Sequence, residues 1–211
     1  MSRLKLDLQF LLTFILLVSA VFAFGQDSNQ VQSSASKSEK SVIIGMYYDL
    51  SSVGQIPMHN IGGRSAVVLN DRWLFGGFAQ GNLALNFDYK YLGLPARIYT
   101  GQGGLWFGRF ILPEKQLNLA LSAWFGGGVF GSEVRLSKEG EELRTADAYN
   151  TEFFQCAPQV DVFVKILPYV KLSANLGYRF TLGMKYNPVV NNAQMNSVFT
   201  QVGFTLGPFK D

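Results

Sequence analysis

The sequence is poor in charge and in the residues that build most catalytic and metal sites. It has one cysteine, Cys156, and one histidine, His59, and only 16% of its residues are charged. A lone cysteine excludes an internal disulfide framework. Metal sites and Ser-His-Asp arrangements use histidine in company with other groups. The sequence therefore predicts a protein that is not an enzyme, with no catalytic residue, no metal site and no cofactor.

Other functional signatures are missing as well. The net charge is only +3 and the lysines and arginines are scattered, so nothing predicts nucleic-acid binding. The glycine pairs and triplet at residues 76–77, 103–104 and 126–128 do not form a spaced phosphate-binding motif. In strands, such glycines mark bends and close backbone approach. After the N-terminal segment, no apolar run is long enough for a spanning helix.

The N-terminal 25 residues predict an export signal. Arg3 and Lys5 precede an apolar run over residues 10–24, and Ala23 and Gly25 supply the small residues of a cleavage site. The run is shorter than the roughly 20 residues that a spanning helix needs. This order is typical of a secretory signal peptide, with cleavage expected before Gln26 or, as second choice, after Ala23. The alternative is an uncleaved anchor helix.

Residues 26–40 form a polar segment with very few apolar side chains. Such a segment buries too little apolar surface to offset the entropy lost on ordering. We therefore predict a signal peptide at residues 1–25, a flexible linker at 26–40 and one domain at 41–211.

Strict alternation of apolar and polar residues predicts strands throughout this domain. In residues 170–183, VKLSANLGYRFTLG, every second side chain from Val170 to Leu182 is apolar, and the others are polar or glycine. Period-two alternation is the pattern of a two-faced β-strand. The best helix candidate, residues 138–144, is short and polar. Eight strand segments are predicted, at residues 41–50, 61–69, 72–91, 96–112, 116–131, 152–167, 169–184 and 197–208.

The connections between these segments predict an up-and-down barrel. Short turns are predicted at Asn70 and Asp71, at residues 113–115 and at Pro168. Longer connections are predicted at residues 51–60, 92–95, 132–151 and 185–196. Short and long connections alternate, so all short turns lie at one end. Small outer-membrane barrels have short periplasmic turns and longer extracellular loops. An even strand number places both termini at the short-turn end, hence in the periplasm. Aromatic residues near this end are Trp73, Phe110 and Tyr169.

The two faces of the strands predict lipid outside and polar groups inside. Leu117, Leu119 and Leu121 share one face of a segment, while Asn118, Ala120 and Ser122 share the other. The interior of an eight-stranded barrel is just filled by side chains, which favours small and polar groups there. The predicted fold is an all-β, eight-stranded, antiparallel up-and-down transmembrane β-barrel. It satisfies every backbone hydrogen bond, as lipid requires.

Five polar residues on one predicted hairpin are candidates for a network in the lumen. They are Asp161, Lys165, Lys171, Asn175 and Arg179. The simpler interpretation is a network that fills and neutralises the interior. The alternative is a path for protons or ions.

The export signal, the eight alternating segments and the terminal strand SVFTQVGFTLGPF resemble the small outer-membrane β-barrel proteins of Gram-negative bacteria, the OmpX-like kind. The resemblance covers residues 41–209 as a pattern. It implies outer-membrane lipid as surroundings and a barrel-assembly machinery as partner. Members often end in an aromatic residue that this machinery reads; here Phe209 precedes Lys210 and Asp211.

Three functional hypotheses remain from the sequence. The first is an outer-membrane barrel without an open pore that serves envelope structure or surface interaction, with the charged loop 132–151 as possible partner contact. The second is a soluble periplasmic, lipocalin-like barrel with its apolar faces turned inward around an apolar ligand. The third is an outer-membrane hydrolase using His59. Lipid-A deacylases carry a late His-x-Ser pair that this chain lacks.

Overall fold

The computed structural model describes residues 40–54, 56–82, 89–91, 94–113, 116–136, 144–185 and 190–208. Over these ranges the chain is almost entirely β-strand. No helix within them is long and apolar enough to cross a membrane. The predicted signal peptide and nearly all of the linker lie outside the described residues. The elements are β1 (Lys40–Val53), β2 (Ile56–Leu69), β3 (Trp73–Asn82), β4 (Tyr89–Tyr91), β5 (Leu94–Pro113), β6 (Leu117–Leu136), β7 (Arg144–Leu167), β8 (Val170–Leu182), α1 (Asn192–Met195) and β9 (Ser197–Leu206).

The strands close into an antiparallel barrel of eight long strands. Except for β3 and β4, sequential strands pair with each other. In addition, β1 pairs with β9, and β3 pairs with β5. The three-residue β4 pairs only with the first residues of β5. The segment predicted at residues 72–91 is therefore divided into β3 and β4, and residues 83–88 between them lie outside the described residues. The predicted eight-stranded, up-and-down, antiparallel barrel is confirmed.

The register of the strands determines the width and tilt of the barrel. The register can be followed around the ring by moving from each residue to its cross-strand partner. From Gln80 on β3, this path reaches β7 at Phe153 in one direction and at Phe163 in the other. The steps are Gln102 and Gly128 in the first direction, and Gly62, Tyr47, Gly203 and Ser173 in the second. The two endpoints on β7 are ten residues apart, and this offset is the shear number of the barrel. Eight strands with this shear tilt by about 40° and leave an interior that side chains can fill.

The short turns lie at the end of the barrel where β1 begins and β9 ends, called the proximal end below. Asn70 and Asp71 join β2 to β3 with φ of 52° and 54°. Both central residues of a type I′ hairpin need positive φ, and Asn and Asp tolerate it best. This predicted tight turn is confirmed.

The opposite, distal end differs from the prediction of long loops. Val53 and Ile56 are cross-strand partners, so β1 and β2 continue to a tight turn where residues 51–60 were expected to form a loop. In the same way β6 continues to Leu136 and β7 begins at Arg144. The strands extend because inward residues such as Met58 and Phe153 are still buried there. Residues 137–143, most of the helix candidate, lie outside the described residues, and Arg144 is in a strand.

The polarity of the barrel is inverted relative to a soluble protein. On β8, Leu172, Leu176 and Phe180 are 43%, 57% and 47% exposed, whereas Lys171 and Asn175 are 5% and 6% exposed. Each of the eight long strands contributes at least two exposed large apolar side chains. The largest apolar patch on a soluble monomer is about 300–600 Å². A belt around the whole barrel is therefore the arrangement expected of a lipid-facing surface.

Glycines on the two faces have different roles, which gives a testable contrast on β5. A Cβ added to the inward Gly104 would lie 2.2 Å from the Phe125 carbonyl oxygen, whereas one added to the exposed Gly101 would meet nothing within 4 Å. We expect Gly104→Ala to lower the free energy of unfolding by about 1–3 kcal/mol, as overpacking does. Gly101→Ala should change it by less than about 0.5 kcal/mol. Urea unfolding of both variants in detergent measures the difference; equal effects would contradict the close packing of β5 on β6.

Candidate functional site: the barrel lumen

The middle of the lumen contains a buried ion pair surrounded by polar groups. Arg64 Nη1 on β2 lies 3.0 Å from Asp161 Oδ1 on β7, and both side chains are almost inaccessible. Ser122, Asn175 and Gln159 also donate hydrogen bonds to the Asp161 carboxylate, the last at 3.2 Å. The charge of Asp161 is thus compensated by one cation and three neutral donors. A buried carboxylate needs such partners, because an unpaired one is strongly disfavoured.

The Arg64 guanidinium is also enclosed by aromatic rings. Its central carbon lies 4.6 Å from the Trp106 ring centroid, 5.3 Å from that of Phe163 and 5.8 Å from that of Tyr47. Arginine stacks on aromatic faces more readily than lysine because it is planar and weakly hydrated. This surrounding fixes the position of the guanidinium and closes the space around the ion pair.

A second polar cluster lies closer to the distal end, around Asp49 on β1. Its Oδ1 accepts hydrogen bonds from Asn60 at 2.6 Å and from Ser51 at 3.0 Å. Its Oδ2 accepts one from Gln201 at 3.0 Å and lies 3.9 Å from Arg179 Nη2. The described lumen therefore contains two separate ion pairs, each joining strands that are not sequence neighbours.

The structure divides the five predicted lumen residues among different places. Asp161 and Asn175 are hydrogen-bonded to each other, whereas Arg179 forms an ion pair with Asp49. Lys171 is buried near the proximal end and donates to the Asn118 side chain. Lys165, its cross-strand partner, is half-buried. All five are on the inward-facing positions of β7 and β8. Their arrangement is two ion-pair clusters plus a proximal lysine pair.

Sequence reasoning missed Asp49 and Arg64, which complete the two ion pairs. Glycines blur the alternation of β1 and β2, so neither residue was assigned to a face. A usable signal was nevertheless present: each is the single charged residue within its predicted segment, residues 41–50 and 61–69. A lone charge in a segment of a membrane barrel is more readily placed in the lumen than in lipid.

An aromatic layer fills the lumen where small and polar residues were expected. Trp124 stacks on Phe78 at 4.2 Å and on Phe199 at 6.0 Å between ring centroids, and Tyr47 lies 5.5 Å away. Inward glycines make room for these rings. A Cβ at Gly177 would lie 2.4 Å from the Phe199 ring, and one at Gly62 would lie 2.5 Å from that of Tyr47. Large and small residues thus alternate across strands to fill the interior. The expectation of a small and polar interior was wrong at this layer.

Phe110 also points inward. It packs on Phe163 with ring centroids 5.7 Å apart, so its predicted place among the rim aromatics was wrong. Trp73 and Tyr169 are exposed at the proximal end.

The distal end of the lumen is covered by an apolar cluster. Its members are Val53, Met58, Ile98, Phe130, Phe153, Val190 and Met195. Helix α1 contributes Met195 and is anchored by a capping box between Asn191 and Gln194. The Gly54 N–H at the β1–β2 turn donates to the Gln194 carbonyl oxygen at 2.6 Å. The helix and this turn therefore form a fixed cover over the distal opening.

His59 is placed outside the lumen. The Tyr48 hydroxyl and His59 Nδ1 are hydrogen-bonded, and both residues are half-buried. Within the described ranges no group of three or more metal-ligating side chains occurs.

The closed antiparallel ring, the apolar outer belt and the filled polar lumen define a small barrel of the transmembrane class. No protein-family model matches the chain, and no curated protein matches it either. Solved structures do. A major outer membrane protein from Thermus thermophilus has 11% sequence identity, covers 80% of this chain and 98% of its own, and has a TM-score of 0.56. The chain shares the fold of this protein.

Two other solved structures have lower TM-scores. Ail, the attachment invasion locus protein of Yersinia pestis, has 11% identity, covers 82% of this chain and 99% of its own, and has a TM-score of 0.49. Neisserial surface protein A has 12% identity, covers 83% and 100%, and has a TM-score of 0.47.

Proposed function

We propose that this chain is an integral outer-membrane β-barrel protein, without an open pore, that serves envelope structure or surface interaction. The observation that carries the proposal is the inverted polarity: large apolar side chains surround the barrel, whereas ion pairs and hydrogen-bonded groups lie inside. A closed barrel is one of the two structures that satisfy the backbone in lipid. The lipocalin-like alternative requires Leu172, Leu176 and Phe180 inside, and the structure places them outside.

The absence of an open pore is supported by what fills the lumen. Trp124 and its stacked neighbours cross the middle, and the apolar cluster with α1 covers the distal end. Eight-stranded barrels have an interior just wide enough for side chains. We therefore treat the ion pairs as structural, and the proton or ion path is not favoured.

In this proposal the proximal end faces the periplasm after export by the signal peptide at residues 1–25. Barrel-assembly machinery inserts the chain, and the distal end faces outward. There β6 and β7 are the longest hairpin, with β7 spanning 24 residues. Residues 132–151, which comprise the distal ends of β6 and β7 and the residues between them, would then be the contact for a surface partner, because segments carried on a rigid scaffold commonly serve recognition. No catalytic role is assigned to His59.

Cysteine accessibility tests the membrane placement directly. Cys156 is half-buried on the outer side of β7, between the exposed neighbours Phe154 and Pro158. In intact cells a membrane-impermeant maleimide should leave Cys156 unmodified, because lipid covers it, and should modify it after unfolding. In a Cys156→Ser background, a cysteine introduced by Lys185→Cys at the exposed distal end should react in intact cells.

Fractionation gives the matching control. The protein should require detergent for extraction and should migrate differently in gels before and after boiling, because the barrel resists unfolding in cold detergent. Recovery in the soluble periplasmic fraction, together with rapid modification of Cys156 in the folded protein once the outer membrane is opened, would contradict the proposal. Modification of Lys185→Cys only after the outer membrane is opened would reverse the proposed orientation.

A further inference from the structure

Among the described residues of the proximal rim, the exposed charged side chains lie on one side. Lys40 at the start of β1, Arg72 in the β2–β3 turn and Arg109 on β5 are all exposed; we call these three residues the basic rim. Asp71 is the acidic residue among the described part of this arc. At the described proximal ends of β6 to β9, the exposed residues are uncharged, among them Leu117, Leu167, Tyr169 and Leu206. Among the described residues, the exposed side chains of the rim are thus mostly cationic on one arc and apolar on the other, where Lys165 and Lys171 face inward.

Two arginines of the basic rim are held close to an interfacial tryptophan. Arg109 and Trp73 are direct cross-strand partners, and the Arg109 guanidinium carbon lies 5.1 Å from the Trp73 ring centroid. The Phe110 N–H donates to the Arg72 carbonyl oxygen at 2.7 Å, which ties the Arg72 backbone to β5. Trp73 is exposed, as is usual for tryptophans at the level of lipid headgroups. Arginine is well suited to phosphate because its fork of donors can bind two oxygens.

The outer wall directly distal to this arc is lined mainly by small residues. We call Gly63, Ser65, Gly77, Ala79, Gly101 and Gly103 the smooth wall. One large side chain stands among them, because Leu105, the cross-strand partner of Gly77, is 56% exposed. These residues are cross-strand neighbours on β2, β3 and β5. The aromatic rings of Trp73, Phe75 and Phe107 lie between the smooth wall and the basic rim, at centroid separations of 6.5 and 6.0 Å.

Packing within the barrel leaves more space at the smooth wall than in the lumen. An added Cβ would meet nothing within 4 Å at Gly101, whereas at Gly77 and Gly103 it would lie 3.2 and 3.1 Å from one carbonyl oxygen each, which are tight contacts. Inward glycines are different: at Gly126 an added Cβ would lie 2.2 Å from the Gly103 carbonyl oxygen. The small residues on the outside therefore leave room for an external molecule that lies against the wall.

We propose that the basic rim and the smooth wall together bind one anionic phospholipid of the proximal leaflet. The inference rests on the proposed membrane placement. The headgroup phosphate accepts hydrogen bonds from Arg72 and Arg109, with Lys40 adding to the positive potential. An acyl chain lies across Phe75 and Phe107 and ends over the smooth wall.

The dimensions of the barrel agree with this placement. Ala79 and its partner Gly103 are six residues from Trp73 and Arg109 along their strands. At a tilt near 40°, six residues rise by about 15 Å along the barrel axis. The hydrocarbon core is about 30 Å thick, so this rise equals about one leaflet. Charge complementarity favours a phospholipid with net negative charge over a zwitterionic one, because basic residues near a membrane surface attract anionic lipid.

Lipid selectivity of the folded protein tests the proposal. The barrel is reconstituted in vesicles, and the fractions of spin-labelled phosphatidylglycerol and phosphatidylcholine immobilised at its surface are compared. The wild type should prefer phosphatidylglycerol several-fold. Arg72→Gln and Arg109→Gln should each reduce that preference up to about fivefold. Arg97→Gln, at the distal end of β5, removes a charge of the same kind and should leave it unchanged. Salt of about 1 M should reduce the wild-type preference without any substitution.

A second pair of matched variants tests the role of the smooth wall. Ala79→Leu fills it, whereas Ala174→Leu adds the same group to an exposed position on β8. Ala79→Leu should lower the immobilised fraction of phosphatidylglycerol, and Ala174→Leu should not. Gel migration before boiling confirms that each variant is folded.

The outcomes separate the two proposals. A wild type that inserts but shows no preference, or a preference that survives both arginine substitutions, overturns the lipid site alone. Failure of the wild type to insert overturns the membrane placement itself. If Ala79→Leu instead abolishes a dimer seen by crosslinking in neutral-lipid vesicles, the wall joins two copies of this chain, and the lipid site is wrong.

Discussion

Asp161→Ala is expected to lower the free energy of unfolding by about 3–5 kcal/mol. The substitution leaves the Arg64 guanidinium in the lumen without its carboxylate, and removing one partner of a buried ion pair costs about this much. Ser122, Gln159 and Asn175 lose their shared acceptor at the same time. Urea unfolding in detergent micelles, followed by tryptophan fluorescence, gives the change from the transition midpoint and slope.

Glu152→Ala provides the control on the same strand. Glu152 is an exposed carboxylate on β7, so its removal should change stability by less than about 0.5 kcal/mol. The double variant Arg64→Met with Asp161→Leu removes both charges and should lose less than Asp161→Ala alone, since no unpaired charge remains. A loss for Asp161→Ala no greater than that for Glu152→Ala would show that the ion pair does not stabilise the lumen.

Trp124→Ala is expected to destabilise the barrel by a similar amount, about 3–5 kcal/mol. Trp124 is 1% exposed and is the shared neighbour of Phe78, Phe199 and Tyr47. Truncating a buried tryptophan removes its transfer free energy and leaves a cavity that the rigid strands cannot close. Urea unfolding followed by circular dichroism measures the loss without relying on the deleted fluorophore.

Trp73→Ala is the matched comparison because Trp73 is 45% exposed at the rim. It should cost about 1 kcal/mol or less. If both tryptophan variants lost equal stability, the stacked layer would not be a structural centre of the barrel. If Trp124→Ala remained fully stable but conducted ions in planar bilayers, the layer would serve mainly as a plug.

Sequence alternation was sufficient to predict the strands, and it predicted the facing of strands such as β8 whose alternation is not blurred by glycines. Residues 170–183 comprise β8 and the residue after it, and every residue predicted on the apolar face points away from the lumen. This succeeded because the period of a strand is two and each face meets one environment. Strand ends were less predictable. The hairpin β1–β2 continues beyond the expected loop because cross-strand pairing needs no continued apolar pattern on the outer face.

The partners within the lumen could not be predicted from sequence. Arg64 meets Asp161, and Asp49 meets Arg179, only because the shear of ten sets which inward positions share a level across the barrel. That shear depends on all eight pairings at once. The sequence prediction treated the β7–β8 hairpin as one unit and therefore grouped Arg179 with Asp161. Closure of the ring instead places Arg179 near β1.

The pairing of β1 with β9 joins the first and last strands that the structure describes, from Ile44 to Leu50 against Thr200 to Leu206. The ring therefore cannot close before β9 is synthesised, because β1 and β9 form one of its pairings. Until then β1 and β8 would each present an unpaired edge, which invites aggregation. Contacts of such large sequence separation also form slowly. We therefore expect a chain with this topology to be protected by a chaperone between its synthesis and the closure of the barrel.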